Sequence, residues 1–378
     1  MKALPITTLA LLLCFLSTAR IGLAAEEALD ATREETGKKE ASTNDPSARR
    51  AAVSKGLDWL VAHQAKDGSW GKTYTVAVTS FVCLSLLAAD DEPFGTERSR
   101  ALMKGLNFLV SSQTDGVFLT QGHTWIHGQG FATLALSEAY GRSLTTKTKP
   151  DIDTQTLLKV VTKAVAIIAR HQSASGGWWY TPGNPAGHEG STTCCAVQAL
   201  VSAGNYGITI DKEVLEQGFA YLKKCQNPDG GFDYMLGPEV ASMKEGTAGG
   251  VATLGLMSKF DFAVMMNGYK FLLTTTPQAI SKERFPYYGH FYGTMGMRLL
   301  GQEMPSFQQK TNGYLDGAQG DLLSWQREDG GWPTKSWVKA NAKEDDVYGT
   351  AFATLTLSIR DGRLSIFNRE RPVIPKKD

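Results

Sequence analysis

The chain has 378 residues, with 39 basic and 38 acidic side chains for a net charge of +1, and 42% of its residues are hydrophobic. That near-neutral balance excludes nucleic acid and a polybasic membrane surface as partners, while the apolar share is ample for a large core. Five cysteines at no regular spacing exclude a disulfide-built scaffold.

From the N-terminus, Lys2 precedes an apolar run from Leu9 to Leu16 and the small-residue stretch Gly22-Leu23-Ala24. This pattern predicts a cleaved signal peptide over residues 1–24, and hence a secreted or periplasmic protein. The run is too short to span a bilayer comfortably, so no integral membrane segment is expected in the mature chain. Residues 25–50 carry charge, Thr and Ser with almost nothing apolar, and read as a disordered linker. A single domain is expected over residues 51–361, with a C-terminal tail at 362–378. Cys83, Cys194 and Cys195 fall in runs of small residues and Cys225 closes another segment; all four read as small core residues.

One phrase then recurs through the chain. It runs Gly56-Leu57, Trp59-Leu60, Gln64, Asp67-Gly68-Ser69-Trp70, and returns at Gln113 with Asp115-Gly116 and Phe118. Further copies carry Gln172 with Gly176-Gly177-Trp178, Gln226 with Asp229-Gly230-Gly231-Phe232, and Gln326 with Asp329-Gly330-Gly331-Trp332. A sixth, decayed copy holds Gly268-Tyr269 and Phe271-Leu272 in phase, but has Thr276-Pro277 where the glutamine turn belongs. The connection from Pro277 to Phe285 is therefore expected to be longer than its counterparts. Repetition at near-constant spacing means a fold built from copies of one unit.

Ahead of each glutamine the apolar residues keep helical spacing, and the Asp-Gly or Gly-Gly pair stops the helix. Behind each turn comes a second run rich in Ala, Gly, Ser and Thr and almost free of charge, as in Phe131–Leu136, Ala248–Gly255 and Thr350–Leu355. Small residues on every face suit an inner ring, and the more charged first helices suit an outer one. Six such pairs predict an all-α fold, an α/α toroid of twelve helices; an open superhelical solenoid is the competing architecture.

The phrase resembles the QW repeat of terpenoid cyclases and protein prenyltransferases, the α/α-toroid superfamily. The resemblance covers residues 53–358 and implies the toroid fold, with each glutamine capping the next inner-helix start and each aromatic packed against it. The family's chemistry does not carry over residue by residue. The acid pattern Asp-x-Asp-Asp-Thr is approached only by Asp151-Ile152-Asp153-Thr154 and by Glu344-Asp345-Asp346, and cyclases of that type carry two barrels. The prenyltransferase zinc pattern Asp-x-Cys and the thioester sequence Cys-Gly-Glu-Gln are both absent. The fold implies no cofactor.

Starts of inner helices converge on the mouth of such a barrel, so polar residues there are the site candidates. Asp345, Asp346, His188, Glu189 and Tyr348 are read as catalytic candidates, with one of the aspartates as acid, and Trp125, His127, Tyr288 and His290 as ligand-binding. The acids, with Glu245, also have a capping explanation, whereas a histidine at a helix N-terminus does not. A metal held by His123, His127, His188, Glu189 and His290 is the lesser alternative: His123 and His127 lie four apart, as one helical face requires, but Gly128 and Gly130 weigh against a helix there. Two functions compete. One is a binding protein that takes a hydrophobic small molecule or a protein partner at the barrel mouth without the known family active site. The alternative is a terpenoid cyclase-like isomerase or lyase that starts isoprenoid chemistry with an acid.

Overall fold

The computed structural model describes residues 45–119, 124–237, 242–257, 261–335 and 346–374. Six outer helices, α1 (Pro46–Ala62), α3 (Ser99–Ser111), α5 (Thr154–Arg170), α7 (Lys212–Lys224), α9 (Phe262–Thr274) and α12 (Gln308–Trp325), alternate with six inner ones. The inner helices are α2 (Thr75–Ala89), α4 (Trp125–Thr145), α6 (Gly190–Asn205), α8 (Lys244–Leu254), α11 (Pro286–Glu303) and α13 (Asp346–Ser358). A one-turn helix, α10 (Pro277–Ile280), fills the connection after α9.

Composition decides the layer. In α2 every residue from Val76 to Ala88 is buried, as an inner helix flanked on all sides requires. In α5 the buried set is a single stripe, Leu157, Val161, Ala164, Val165, Ile167 and Ile168, at helical spacing. Each inner helix packs on the next, and α13 packs back on α2, so the ring is closed and the solenoid alternative is excluded. At the seam Ser85 Oγ donates to the Ala351 carbonyl at 2.8 Å, and Arg49 pairs with Asp361 at 2.7 Å.

The repeated phrase is the fastener of the outer ring. The turn glycines Gly68, Gly116, Gly176, Gly230 and Gly330 all have φ between 90° and 93°. A Cβ on any of them would strike a backbone carbonyl of the next outer helix, at 2.5 Å from Lys104 O in the case of Gly68. Gln64 Nε2 donates to Gly68 O and to Ala101 O, both at 2.9 Å, and Gln172, Gln226 and Gln326 repeat the pair on α7, α9 and α1. The expectation that these glutamines cap inner helices is thus corrected: they join one outer helix to the next. The inner-helix link comes from Thr79, Thr193, Thr247 and Thr350, whose hydroxyls accept from the backbone N–H of Trp70, Trp178, Phe232 and Trp332. In the second unit Gln129 does this for Phe118.

Other boundaries also shift. The first helix begins at Pro46 rather than after residue 50, because Asp45 caps it by accepting from Ser47 N at 2.8 Å. The segment expected to be a tail is core as far as Phe367: Leu364, Ile366 and Phe367 are fully buried. Ser365 donates to the buried Glu138 through its N–H at 2.9 Å and its hydroxyl at 2.7 Å. The Pro277 connection is no longer than the others, since Thr276 O and Pro277 O start a helical turn that buries Pro277 and Ile280. Gly128 and Gly130 both lie inside α4; a Cβ on Gly130 would meet Cys195 Sγ at 2.5 Å. The four cysteines of the described residues are buried and free.

Candidate functional site

All six inner helices start at the same end of the ring, and there they enclose a cavity of about 610 Å³. Aromatic rings form a large part of its wall. The Phe81 ring centroid lies 4.4 Å from that of Phe131 and 4.2 Å from that of Phe352, and Tyr348 follows at 4.8 Å from Phe352. Above them the Tyr180 and Tyr234 hydroxyls meet at 2.6 Å across two of the loops that lead into inner helices.

The candidate residues divide in a regular way. His127, Glu189, Tyr288 and Tyr348 line this cavity, although they come from four different repeats. Trp125, His188, His290 and Asp346 do not. Trp125 packs 5.1 Å from the His171 ring at the end of α5, and the His188 imidazole meets the Tyr221 hydroxyl of α7 at 3.1 Å. His290 bonds Ser281 at 3.0 Å and stacks edge-on with Trp325 of α12 at 5.3 Å. Asp346 pairs with Arg327 at 2.5 Å and accepts from Thr334 N at 2.9 Å. The cause is phase. Residues two apart on an α-helix point about 200° apart, so Trp125 and His127, Tyr288 and His290, and Asp346 and Tyr348 face opposite sides. His188 and Glu189 do the same as neighbours in extended backbone. Asp345 and His123 lie outside the described residues.

Burial sets the electrostatics of the wall. The Glu189 carboxyl is 2% exposed, and burial raises its pKa, opposed by bonds from Ser191 N at 2.9 Å, Ser191 Oγ at 2.7 Å and Thr192 N at 2.8 Å. Glu189 is therefore the N-cap of α6 and a cavity wall residue at once. Glu245, in the first turn of α8, is likewise raised by burial. Burial pulls His127 down to about 4, so its imidazole is neutral at pH 7. The Tyr288 phenol is pushed well above its usual range by burial.

Asp233, Tyr180 and Tyr234 also border the cavity and escape the sequence reading. The signal that finds them is register: Asp233 and Tyr234 directly follow the motif aromatic Phe232, and Tyr180 stands two after Trp178. A second hollow, of about 720 Å³ at the opposite end, is bordered by Arg142, Arg363 and Arg369. Those guanidinium groups are already engaged, with the Asp90 and Asp91 carbonyls, the Asp91 carboxylate and the Glu303 carboxylate. Among the described residues there is no cluster of three or more His, Cys, Asp or Glu placed to hold a metal, and no helix long and apolar enough to cross a membrane.

A closed ring of six helix pairs with an aromatic mouth is the architecture of the α/α toroids. The prenyltransferase alpha-alpha toroid domain family matches residues 41–217 and 208–279, and the chain belongs to this family. Among curated proteins it is 27% identical over 203 residues to a terpene cyclase-glycosyl transferase fusion protein of Humicola fuscoatra, covering 51% of this chain and 12% of that protein. It is 25% identical over 239 residues to a probable squalene–hopene cyclase of Sinorhizobium fredii, covering 54% of this chain and 33% of the relative. The matched region thus spans a third or less of these relatives' length. Among solved structures, the type II terpene cyclase MstE from Scytonema, in complex with geranylgeranyl dihydroxybenzoate, superposes with a TM-score of 0.57 at 16% identity, over 84% of this chain and 99% of that one. The GH76A alpha-1,6-mannanase of Salegentibacter sp. HEL1_6 gives 0.61 at 10% identity, over 83% and 99%. One ring serves a terpene cyclase and a mannanase, so the fold alone leaves the chemistry open.

Proposed function

We propose that this protein binds a small apolar molecule in the cavity at the mouth of its toroid. The observation that carries the reading is the cavity itself: about 610 Å³, walled by Phe81, Phe131, Phe352 and Tyr348, with a few polar groups converging on it. That size and lining suit a small-molecule site. Saturable binding of the neutral dye Nile red tests it. One equivalent should bind, and Ala77→Trp, which fills the wall, should abolish binding in a chain whose far-UV circular dichroism is still that of the folded protein. Dye binding that is non-saturable, or untouched by Ala77→Trp, would refute the site.

A second reading, acid-started isoprenoid chemistry, draws on Glu189, a buried carboxyl with a raised pKa against an aromatic wall that would favour a cation. Asp346 faces away from the cavity and does not suit the acid's role. A cyclised product formed from squalene or geranylgeraniol by the full chain, and lost in Glu189→Gln, would establish this reading. Export completes the proposal: residues 1–24 serve as a signal, so the ligand is met outside the cytoplasm.

A further inference from the structure

Tyr74 breaks a local rule at the edge of the cavity. It stands at the N-cap of α2 with φ 52° and ψ 38°, in the left-handed region, and its side chain makes no capping bond. Among the described residues one other non-glycine has a positive φ, Asp115, and aspartate is a type that tolerates it. A tyrosine there is costly, because its Cβ crowds the carbonyl oxygen that follows. Three residues earlier the same loop uses glycine, Gly71 at φ 82°, which takes that conformation without strain.

The ring returns little to the fold for this cost. Tyr74 is 41% exposed, more than any other aromatic residue of the cavity wall, so its burial adds little stability. Its position is nevertheless defined. Ala77, Val78 and Phe81 follow it by three, four and seven residues, the spacing of one helical face, and all four line the cavity. At 1.5 Å per residue that face runs about 10 Å, from the Phe81 cluster out to the mouth. Tyr234 and Phe285, from two other repeats, are the remaining lining aromatics with more than a third of their surface exposed. The mouth is thus edged by rings that a bound molecule would cover. Backbone strain that the surrounding fold does not require points to a side chain that serves a ligand.

We infer that Tyr74 is a ligand-contact residue: its ring covers the outer part of a molecule whose inner end lies against Phe81. The inference rests on the reading that the cavity binds an apolar molecule. Nile red titrated into the full-length protein tests it, together with thermal melting of the same chains without dye. Tyr74→Asn removes the ring and puts at position 74 a residue that tolerates the left-handed region. Affinity for the dye should therefore fall about tenfold while the melting temperature holds or rises. Tyr74→Phe, which keeps the ring, should bind like the unaltered chain. Unchanged affinity in Tyr74→Asn, or a loss shared by Tyr74→Phe, would overturn the contact and leave the apolar site standing. A lower melting temperature or failure to fold in Tyr74→Asn would also overturn it, by making the ring a part of the fold. Failure of the unaltered chain to bind the dye would overturn the site and this inference together.

Discussion

Replacing Trp332 with alanine should damage the protein far more than replacing Gln326, although both belong to one motif. Trp332 is fully buried, its Nε1–H donates to the Leu322 carbonyl at 2.6 Å, and its ring lies against Gly56 of α1. Truncating a buried tryptophan costs about 3–5 kcal/mol. Gln326 is half-buried and donates two bonds of 2.9 Å, to Ala52 O and Gly330 O. At roughly 0.5–1.5 kcal/mol net each, its loss amounts to about 1–3 kcal/mol. Urea unfolding followed by far-UV circular dichroism should therefore rank the midpoints as unaltered chain, Gln326→Ala, then Trp332→Ala. Gln226→Ala is the control: it removes the same two bonds, at 2.9 and 3.1 Å, away from the seam. Its midpoint should match that of Gln326→Ala, because a closed ring has no privileged joint. Equal damage from Trp332→Ala and Gln326→Ala would refute the division of labour, and a silent Gln326→Ala beside a harmful Gln226→Ala would mean the ring is open.

The depressed pKa of His127 sets an acid sensitivity. Its folded value of about 4 lies below the ordinary 6.5, so between those limits the unfolded chain takes up a proton that the folded chain refuses. Stability should fall as pH drops from about 6.5 to about 4, His127 contributing up to about 3 kcal/mol and His290, held low by burial to about 3, adding to it; His127→Phe should reduce that slope and leave the His290 part, and an unchanged slope of melting temperature against pH would contradict the assignment. A chain ending at Leu364 should melt well below the full chain, since it loses the buried Phe367 and two donors to Glu138; an unchanged melting temperature would show the segment to be a dispensable tail after all.

The twelve-helix ring was legible because the motif that fastens it is local: Gln64 and Gly68 lie four apart, the copies at Gln172, Gln226 and Gln326 repeat that spacing, and the copy at Gln113 is one residue shorter. What joins the motif to the inner ring was not legible. Thr79 follows Trp70 by nine residues, whereas Thr350 follows Trp332 by eighteen, because the intervening loops differ in length. The site shows the same limit. Position at an inner-helix start was enough to find His127, Glu189, Tyr288 and Tyr348, but position does not give azimuth. Trp125, His188, His290 and Asp346 stand at the same level and turn outward, toward the outer ring, since neither helix phase nor the side of an extended residue can be fixed before the neighbours are known. Glu138 was passed over entirely: a lone glutamate in an apolar run acquires meaning only once Ser202, Tyr206 and Ser365 are seen to surround it.

The seam between α1 and the end of the ring also bears on synthesis. Arg49 finds its carboxylate at Asp361, and Ala52 its glutamine at Gln326, so the first helix emerges from the ribosome about 300 residues before its partners. Through that interval the apolar side of α1, with Val53, Leu57 and Leu60, lacks the α13 on which it packs in the finished ring. Contacts so distant along the chain form slowly and leave apolar surface open to misassembly. The ring is thus a structure whose first-made piece is the last to be locked, and α1 is the place where a chaperone would be needed and where two nascent copies would be apt to exchange helices.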